Sequence, residues 1–538
     1  MQDRQIALEG EQLELGQTRY LNLLKTKGRA EMGPGRLLIA GNVDKMVTAI
    51  NAALVKKRGP RAAYLTALGQ VEPVAAAMLA LRTILQQVDK TKGATAIATN
   101  IGQMLVEHLN WKRIHHHEEK EVAKGARFME QKVLKHKGHE KHRRFVANHY
   151  VAGHLPPEST VEWDKATMVQ VGMLLLELVA AETMLIKLPV VFKHGNKFKM
   201  VELTDETATW LKEQDDRYSL LDPLFMPMVV PPKPWSTPTN GGYLTRRQFL
   251  VKQDNEKYQA FLRTADLSAV YAAVNLLQET PFKINIGVLN VMRAAMASNA
   301  AVAGLVDQEL EPENAKPADI KTNAEARKAW KQLERERHDR NAAKRNQRLV
   351  NMRILNLAEK FKDEGAIYFP HTLDFRGRAY PVPVDLQPQG SDQAKGLLTF
   401  ADGKPLGQDG LFWLKVHVAN LFGVDKVSFE ERVQWVDDNM DSLIECALIP
   451  FHNDQWTEAD KPWQALAACF ELAGVAMADD PEEYISHLPI AMDGSCNGLQ
   501  NLSAMMLDEE GGKATNLVPA DKPQDIYTQV LERTVAKL

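Results

Sequence analysis

Leu488-Pro489-Ile490-Ala491-Met492-Asp493-Gly494-Ser495-Cys496-Asn497-Gly498-Leu499-Gln500 is the most informative stretch of this 538-residue chain. Its apolar start, Leu488 to Met492, predicts a short buried strand, and Asp493 falls where that strand ends. Gly494 and Gly498 let the backbone turn sharply and come close to a ligand. Leu499, Leu502, Met505 and Met506 then predict a helix. A carboxylate at a strand end beside an open glycine turn suits magnesium, which takes one or two carboxylates together with substrate phosphate oxygens. The plainer alternative is an aspartate that caps the turn after it.

Upstream, His371-Thr372-Leu373-Asp374-Phe375-Arg376-Gly377-Arg378-Ala379-Tyr380 places two arginines around a glycine. Forked guanidinium donors in that arrangement suit phosphates, and Asp374 can orient one of them. The alternative is a surface ion pair, which is common and contributes little.

The composition, 45% hydrophobic and 25% charged, is that of a globular chain and too apolar for disorder as the main state. At roughly 100–200 residues per domain it predicts three or four units. Cys446, Cys469 and Cys496 include no CxxC pair, which excludes a disulfide scaffold and fits a reducing cytoplasm. The run 168–188 is the greasiest, but Glu177 and Glu182 in its middle predict a buried or amphipathic helix rather than a membrane span. No apolar signal core follows Met1, so the expected location is cytoplasmic, with no membrane partner.

A net charge of −3 requires any nucleic-acid surface to be local. A long helix is predicted over 323–362, and within it residues 325–353 hold ten Lys or Arg against four acids, an excess of +6. Such a helix can track phosphates through Lys344, Arg345 and Arg348, or it can be laced by i,i+4 pairs such as Glu336 with Arg340. Lys56-Lys57-Arg58-Gly59-Pro60-Arg61 is a second basic segment. Nine of the fifteen histidines lie between His108 and His154, but steps of three residues spread helical ligands apart rather than converging them on zinc. The pattern is mostly helical to about residue 190, and it starts with Ile6, Leu8, Leu13, Leu15, Tyr20, Leu21, Leu23 and Leu24, which predict a helix entering a core. A hairpin is predicted over 189–203, an extended crossing near 229–242, a helix over 265–289 and mixed α/β texture after 365.

DFRGRAY (Asp374 to Tyr380), PQGSDQAKGLLTF (Pro388 to Phe400), GVDKV (Gly423 to Val427) and AMDGSCNGLQNLSAM (Ala491 to Met505) occur in this order. Together they resemble the single-subunit DNA-directed RNA polymerases of bacteriophages and mitochondria, and the resemblance reaches back through Val229 to Trp235 to the first helix near Ile6. It implies a right-handed polymerase fold that is mostly α with an α/β part: a helical promoter-binding domain (1–264), a thumb (265–362) and the first part of a palm (363–538). It implies that Asp493 is a catalytic aspartate holding Mg2+ with the Gly494 carbonyl, two ions being expected in the completed site. Arg378, Lys395, Lys426 and Tyr527 match positions that contact nucleic acid or the incoming triphosphate. Lys56, Lys57, Arg58 and Arg61 match the loop that enters the promoter's minor groove, and the turn at His194-Gly195-Asn196 matches a strand-separating hairpin. Promoter DNA, nascent RNA and nucleoside triphosphates are the implied partners. The family's fingers lysine and tyrosine, and its second aspartate after a histidine, have no match here, since the only His-Asp pair is His338-Asp339 in the basic helix. The reading therefore expects a site completed by the rest of a longer chain or by a second polypeptide. The alternative is a non-catalytic protein that keeps the promoter and duplex contacts.

Overall fold

The computed structural model describes residues 1–538 apart from 56–61, 89–92, 135–139, 194–195, 221–222, 254 and 492. Helices dominate, and every sheet among the described residues has two strands. Two compact units divide the chain, one formed by Gln12–Pro223 and the other by Met1–Glu11 with Leu224–Leu538.

The first of these is built on helices Gly33–Leu54, Pro73–Gln87, Ala94–His115 and Lys165–Thr183. Gly33–Leu54 and Lys165–Thr183 are long and apolar enough to cross a membrane by length and composition. The second of them buries Val171, Leu175, Leu176 and Val179 in the core of this unit. Two glycines let it cross Ala94–His115 at backbone distance. A Cβ on Gly172 would stand 2.0 Å from the Ala98 carbonyl oxygen, and one on Gly102 would stand 2.6 Å from the Met168 Cα. The hairpin forms as predicted, with Val190–Lys193 antiparallel to Asn196–Lys199 and Val191 opposite Phe198.

The second unit closes around Trp456 and Trp463, whose rings lie 5.0 Å apart at its centre. The motif 388–400 is its seat. Ser391 caps the short helix Asp392–Gly396, and Asp392 accepts hydrogen bonds from the Trp463 amide (2.8 Å) and the Gln464 amide (3.3 Å) at the start of helix Pro462–Ala476. Gly396 packs on the Trp463 backbone so closely that a Cβ would lie 2.6 Å from its carbonyl oxygen.

Three sequence expectations change. The predicted 265–289 helix is three elements: Ser268–Glu279 stops before Pro281, Phe282–Ile284 pairs antiparallel with Leu398–Phe400, and Ile286 opens the helix Ile286–Ala297. Proline offers no N–H, so the helix cannot run through it. In the first helix, Gln2–Lys27, Leu8 is buried as expected, but Ile6 and Leu15 are exposed. Gln5 and Glu9 are buried instead, because they serve backbone groups: Gln5 accepts from the Val229 amide (2.9 Å) and Glu9 from the Leu244 and Thr245 amides (2.9 and 2.8 Å). After residue 365 the α/β texture reduces to helices joined by ladders of two or three residues.

The glycine crossing generates a prediction with two signs. Gly172→Ala has to push the helices apart, and overpacking of this kind costs about 1–3 kcal/mol. Gly41→Ala meets nothing within 4 Å inside helix Gly33–Leu54 and should gain about 1 kcal/mol of helix propensity. Denaturant midpoints should move down for the first variant and up for the second.

Candidate active site and nucleic-acid interface

The segment before Asp493 is held at one end only. His487 accepts the Phe400 amide (2.9 Å) through its carbonyl and donates its own amide to Glu471 (3.1 Å). Beyond it, no backbone ladder bond joins residues 488–491 to another strand among the described residues, and Ile490 is 45% exposed. The buried strand expected here is therefore a half-exposed extended segment. Pro489 removes a donor from it, and its apolar side chains line an open slot instead of a sheet interior.

Asp493 is exposed, and its carboxylate accepts the Gly494 amide at 2.8 Å. The turn-capping bond and an outward carboxylate coexist in one residue. Cys496 then adopts the left-handed conformation (φ 52°) before helix Asn497–Met506. Asp493 lines an open polar cleft of about 680 Å³ with Lys426, Arg432, Asn516, Asp521 and Lys522. Lys426 pairs with the neighbouring Asp425 (3.1 Å), and its charge also helps hold the Asp525 carboxyl below its ordinary range. Tyr527 starts helix Ile526–Val535, capped by Asp525, and its ring is exposed. The Cys496 thiol beside it, then Asp525 and Asp493, push the Tyr527 phenol above its ordinary range. Asp493, Lys426 and Tyr527, widely separated in sequence, thus converge.

Arg432 is a member of this site that sequence reasoning missed. Its buried guanidinium stacks on Phe429 (5.0 Å) and donates to the Val427 carbonyl (3.1 Å), the Asp425 carbonyl (2.9 Å) and Asn420 (2.7 Å). These bonds hold the loop that carries Lys426. The readable signal was the capping box Ser428-Phe429-Glu430-Glu431, which starts helix Phe429–Asp438 and fixes where Arg432 falls.

Lys395 lies apart, lining the slot of about 250 Å³ that runs along Leu488 to Ala491. His417, also in that slot, is pushed down to about 4 by burial and stays neutral. The Asp374 turn resolves as expected for one arginine: Arg376 pairs with Asp374 at 2.8 Å, while Asp374 also accepts the Arg378 amide at 3.0 Å. Gly377 (φ 82°) makes that turn. The Arg378 side chain is exposed and has no partner among the described residues.

The predicted basic helix is Ala324–Phe361, capped by Asn323. Arg353 forks onto Asp385 (2.8 Å) and Lys360 pairs with Glu11; most of the other cations fall into two sets. One set binds an irregular strap over 298–323. Lys344 pairs with Asp307 (2.7 Å), Arg348 donates to the Val306 carbonyl (2.8 Å), and Arg340 forks onto Glu311 (2.8 Å). Arg337 pairs with Glu334 (2.7 Å) and, with the Asn314 amide, draws that carboxyl down to about 2. The alternative i,i+4 pair of Glu336 with Arg340 does not form, because Glu311 takes Arg340 and Glu336 accepts from Gln332. The other set, Lys328, Lys331, Arg335 and Arg345, is exposed and has no ion-pair partner among the described residues. At 3.6 residues per turn these four fall within an arc of about 100°, opposite the strap.

Lys56, Lys57, Arg58 and Arg61 lie outside the described residues, as does the turn 194–195. The hairpin strands beside that turn expose Phe192 and Phe198.

Among the described residues no group of three or more His, Cys, Asp or Glu side chains could form a metal cage. Asp493 with the Gly494 carbonyl fits a magnesium ion that fills the rest of its shell with water and phosphate oxygens. One carboxylate does not suffice for a pair of ions.

Two family models match the chain, the DNA-directed RNA polymerase N-terminal region over residues 40–279 and the DNA-dependent RNA polymerase over residues 404–538. The DNA-directed RNA polymerase of Enterobacteria phage T3 is 36% identical and T7 RNA polymerase of Escherichia phage T7 is 35% identical, each over 98% of this chain. A mitochondrial DNA-directed RNA polymerase of Neurospora crassa is 39% identical over 58% of this chain and 22% of its own length. The chain spans about 61% of the length of the T3 and T7 relatives. It belongs to the single-subunit, phage-type DNA-directed RNA polymerases, over their N-terminal region and the first part of their palm.

Proposed function

We propose that the chain supplies the promoter-binding region (1–264), thumb (265–362) and first part of the palm (363–538) of an enzyme that makes RNA from nucleoside triphosphates on a DNA template in the cytoplasm of a phage host. The observation that carries this reading is that Asp493 and Lys426 line one polar cleft, with Tyr527 beside the Asp493 turn. Asp493 and the Gly494 carbonyl would hold Mg2+, two ions being expected once the rest of a longer chain or another polypeptide supplies a second carboxylate. Bound magnesium supplies the charge that activates the primer 3′-hydroxyl and stabilises the leaving pyrophosphate. Lys426 places a cation against the triphosphate, where charge develops in the transition state. Tyr527 lies beside the Asp493 turn, where the nucleotide sugar and base would sit. Arg378 offers an unengaged fork to a phosphate of the template or product, and Lys395 adds charge along the 488–491 segment.

On the thumb helix, Arg345 with Lys328, Lys331 and Arg335 forms the phosphate-tracking face, about 26 Å long. Lys344 and Arg348 act mainly on the strap. The loop with Lys56, Lys57, Arg58 and Arg61 enters an A·T-rich minor groove of promoter DNA. Exposed Phe192 and Phe198 supply the apolar surface with which the hairpin separates strands.

The second reading, a protein that binds duplex without catalysis, draws on the single carboxylate that Asp493 offers. One experiment separates the two. The chain is mixed with a polypeptide supplying the part of the phage relatives it does not span, and single-nucleotide extension is followed with Mg2+ or Mn2+. The parental mixture should extend a primer. Asp493→Asn should abolish extension and leave duplex binding intact, whereas extension at the parental rate would remove Asp493 from the mechanism. Lys426→Ala should raise the nucleotide KM if its contact is equal in ground and transition states, and lower kcat if it tightens in the transition state.

Duplex binding by the 538-residue chain tests the thumb face. Affinity should fall with salt at a log–log slope of about −0.9 per neutralised phosphate. Replacing Lys328, Lys331, Arg335 and Arg345 by alanine should flatten that slope by several such increments. Lys344→Ala with Arg348→Ala should change it by less and should instead lower the melting temperature.

A further inference from the structure

The two walls of the cleft belong to different parts of the chain. Asp493 sits on the turn before helix Asn497–Met506, and Lys426 sits on the loop held by Arg432. The loop 515–525 runs between them. We infer that Asn516 is a positioning residue that fixes the Asp493 turn to this loop and thereby sets Asp493 against Lys426, an inference that rests on the active-site reading above.

Asn516 uses three of the four hydrogen bonds its amide can make. Its Nδ2 donates to the Ser495 Oγ (2.9 Å) and to the Gln524 carbonyl (2.9 Å), and its Oδ1 accepts the Gln524 amide (2.6 Å). One side chain therefore closes the loop on itself and ties it to the residue two positions after Asp493. The corner is anchored below as well. Thr515 is fully buried, and its carbonyl accepts the Gln500 Nε2 at 2.8 Å from the helix that follows the turn. At the far side of the loop Lys522 pairs with Glu431 (3.3 Å), the capping-box residue next to Arg432. A continuous path of contacts thus runs from Ser495 through Asn516, Gln524, Lys522 and Glu431 to Arg432 and the Lys426 loop. Exposed ion pairs such as Lys522–Glu431 hold little on their own. The neutral, geometrically fixed bonds of Asn516 are the stiff part of the path.

Asn516 also has φ 59°, a left-handed conformation that asparagine tolerates better than most residues. That preference alone could account for the residue type, and glycine separates the two roles. Asn516→Gly keeps the backbone conformation without strain and removes only the side-chain bonds.

The readout in the 538-residue chain is alkylation of Cys496 by iodoacetamide. Cys496 is half-exposed on the clamped turn, whereas Cys446 and Cys469 are buried. Asn516→Gly should speed Cys496 modification about ten-fold, as loss of several hydrogen bonds eases local opening. Ser495→Ala, which loses one bond, should produce a smaller rise, and Cys446 and Cys469 should stay unreactive in both. Parental alkylation in Asn516→Gly would overturn the clamp. In the completed enzyme, Asn516→Gly should raise the half-saturating Mn2+ concentration several-fold more than it lowers the maximal rate. Parental metal dependence there would overturn the positioning role. If Asp493→Asn still extends primer while the thiol result holds, the active-site reading fails and the clamp remains as a local structural contact.

Discussion

The carboxylate of Asp392 at the start of helix Pro462–Ala476 is the contact on which the C-terminal unit is arranged. A carboxylate at a helix N-terminus satisfies amides that have no partner within the helix and meets the positive end of its dipole. Here it also fixes Trp463, whose indole N–H donates to the Ala303 carbonyl (2.8 Å) and whose ring packs on Trp456. The strand Leu398–Phe400, two residues beyond Gly396, then carries the bonds to His487 that aim the chain at Asp493. Asp493 itself is exposed, and the direction from which the chain reaches its turn is inherited from this seat several elements away.

The basic helix follows a different logic. Ten cations in one segment look alike in composition, yet the fold divides them by face. Those that meet the strap are consumed by Asp307, Glu311, Glu334 and backbone carbonyls. Buried or half-buried pairs of this kind fix the strap's path more than they add net stability, since each charge gives up water to form them. Arg353 is taken by Asp385, whereas Lys328, Lys331, Arg335 and Arg345 keep their hydration and their charge, which is the condition for releasing counterions from a polyanion.

Much of this was legible in the sequence where one physical cause acts locally. The Ala324–Phe361 helix was readable because neither proline nor glycine interrupts residues 323–362. The 190–199 hairpin was readable because strand residues flank a turn. The 488–492 run misled because an apolar sequence specifies burial only if a partner covers it, and here Pro489 and an open slot take the partner's place. The first helix misled in the opposite sense. Its buried face is polar, because Gln5 and Glu9 satisfy amides more than 220 residues away, which no local pattern encodes. Asp493 stood out through its glycines, whereas Asn516 and Arg432 act through partners in other segments. Their residue types are ordinary, and only tertiary structure shows what they hold.

Glu9 carries a consequence for the order in which the chain acquires its structure. Its carboxylate is 1% exposed and is satisfied by Leu244, Thr245 and Gln5. During synthesis the first eleven residues leave the ribosome long before residues 244–245 exist, and a carboxylate cannot be desolvated without those donors. The segment must therefore wait in water while Gln12–Pro223, a compact unit continuous in sequence, becomes able to fold. Residues 1–11 are thus made before the unit they complete and placed only after residues 244–245 arrive, so they close that unit as a latch rather than nucleating it.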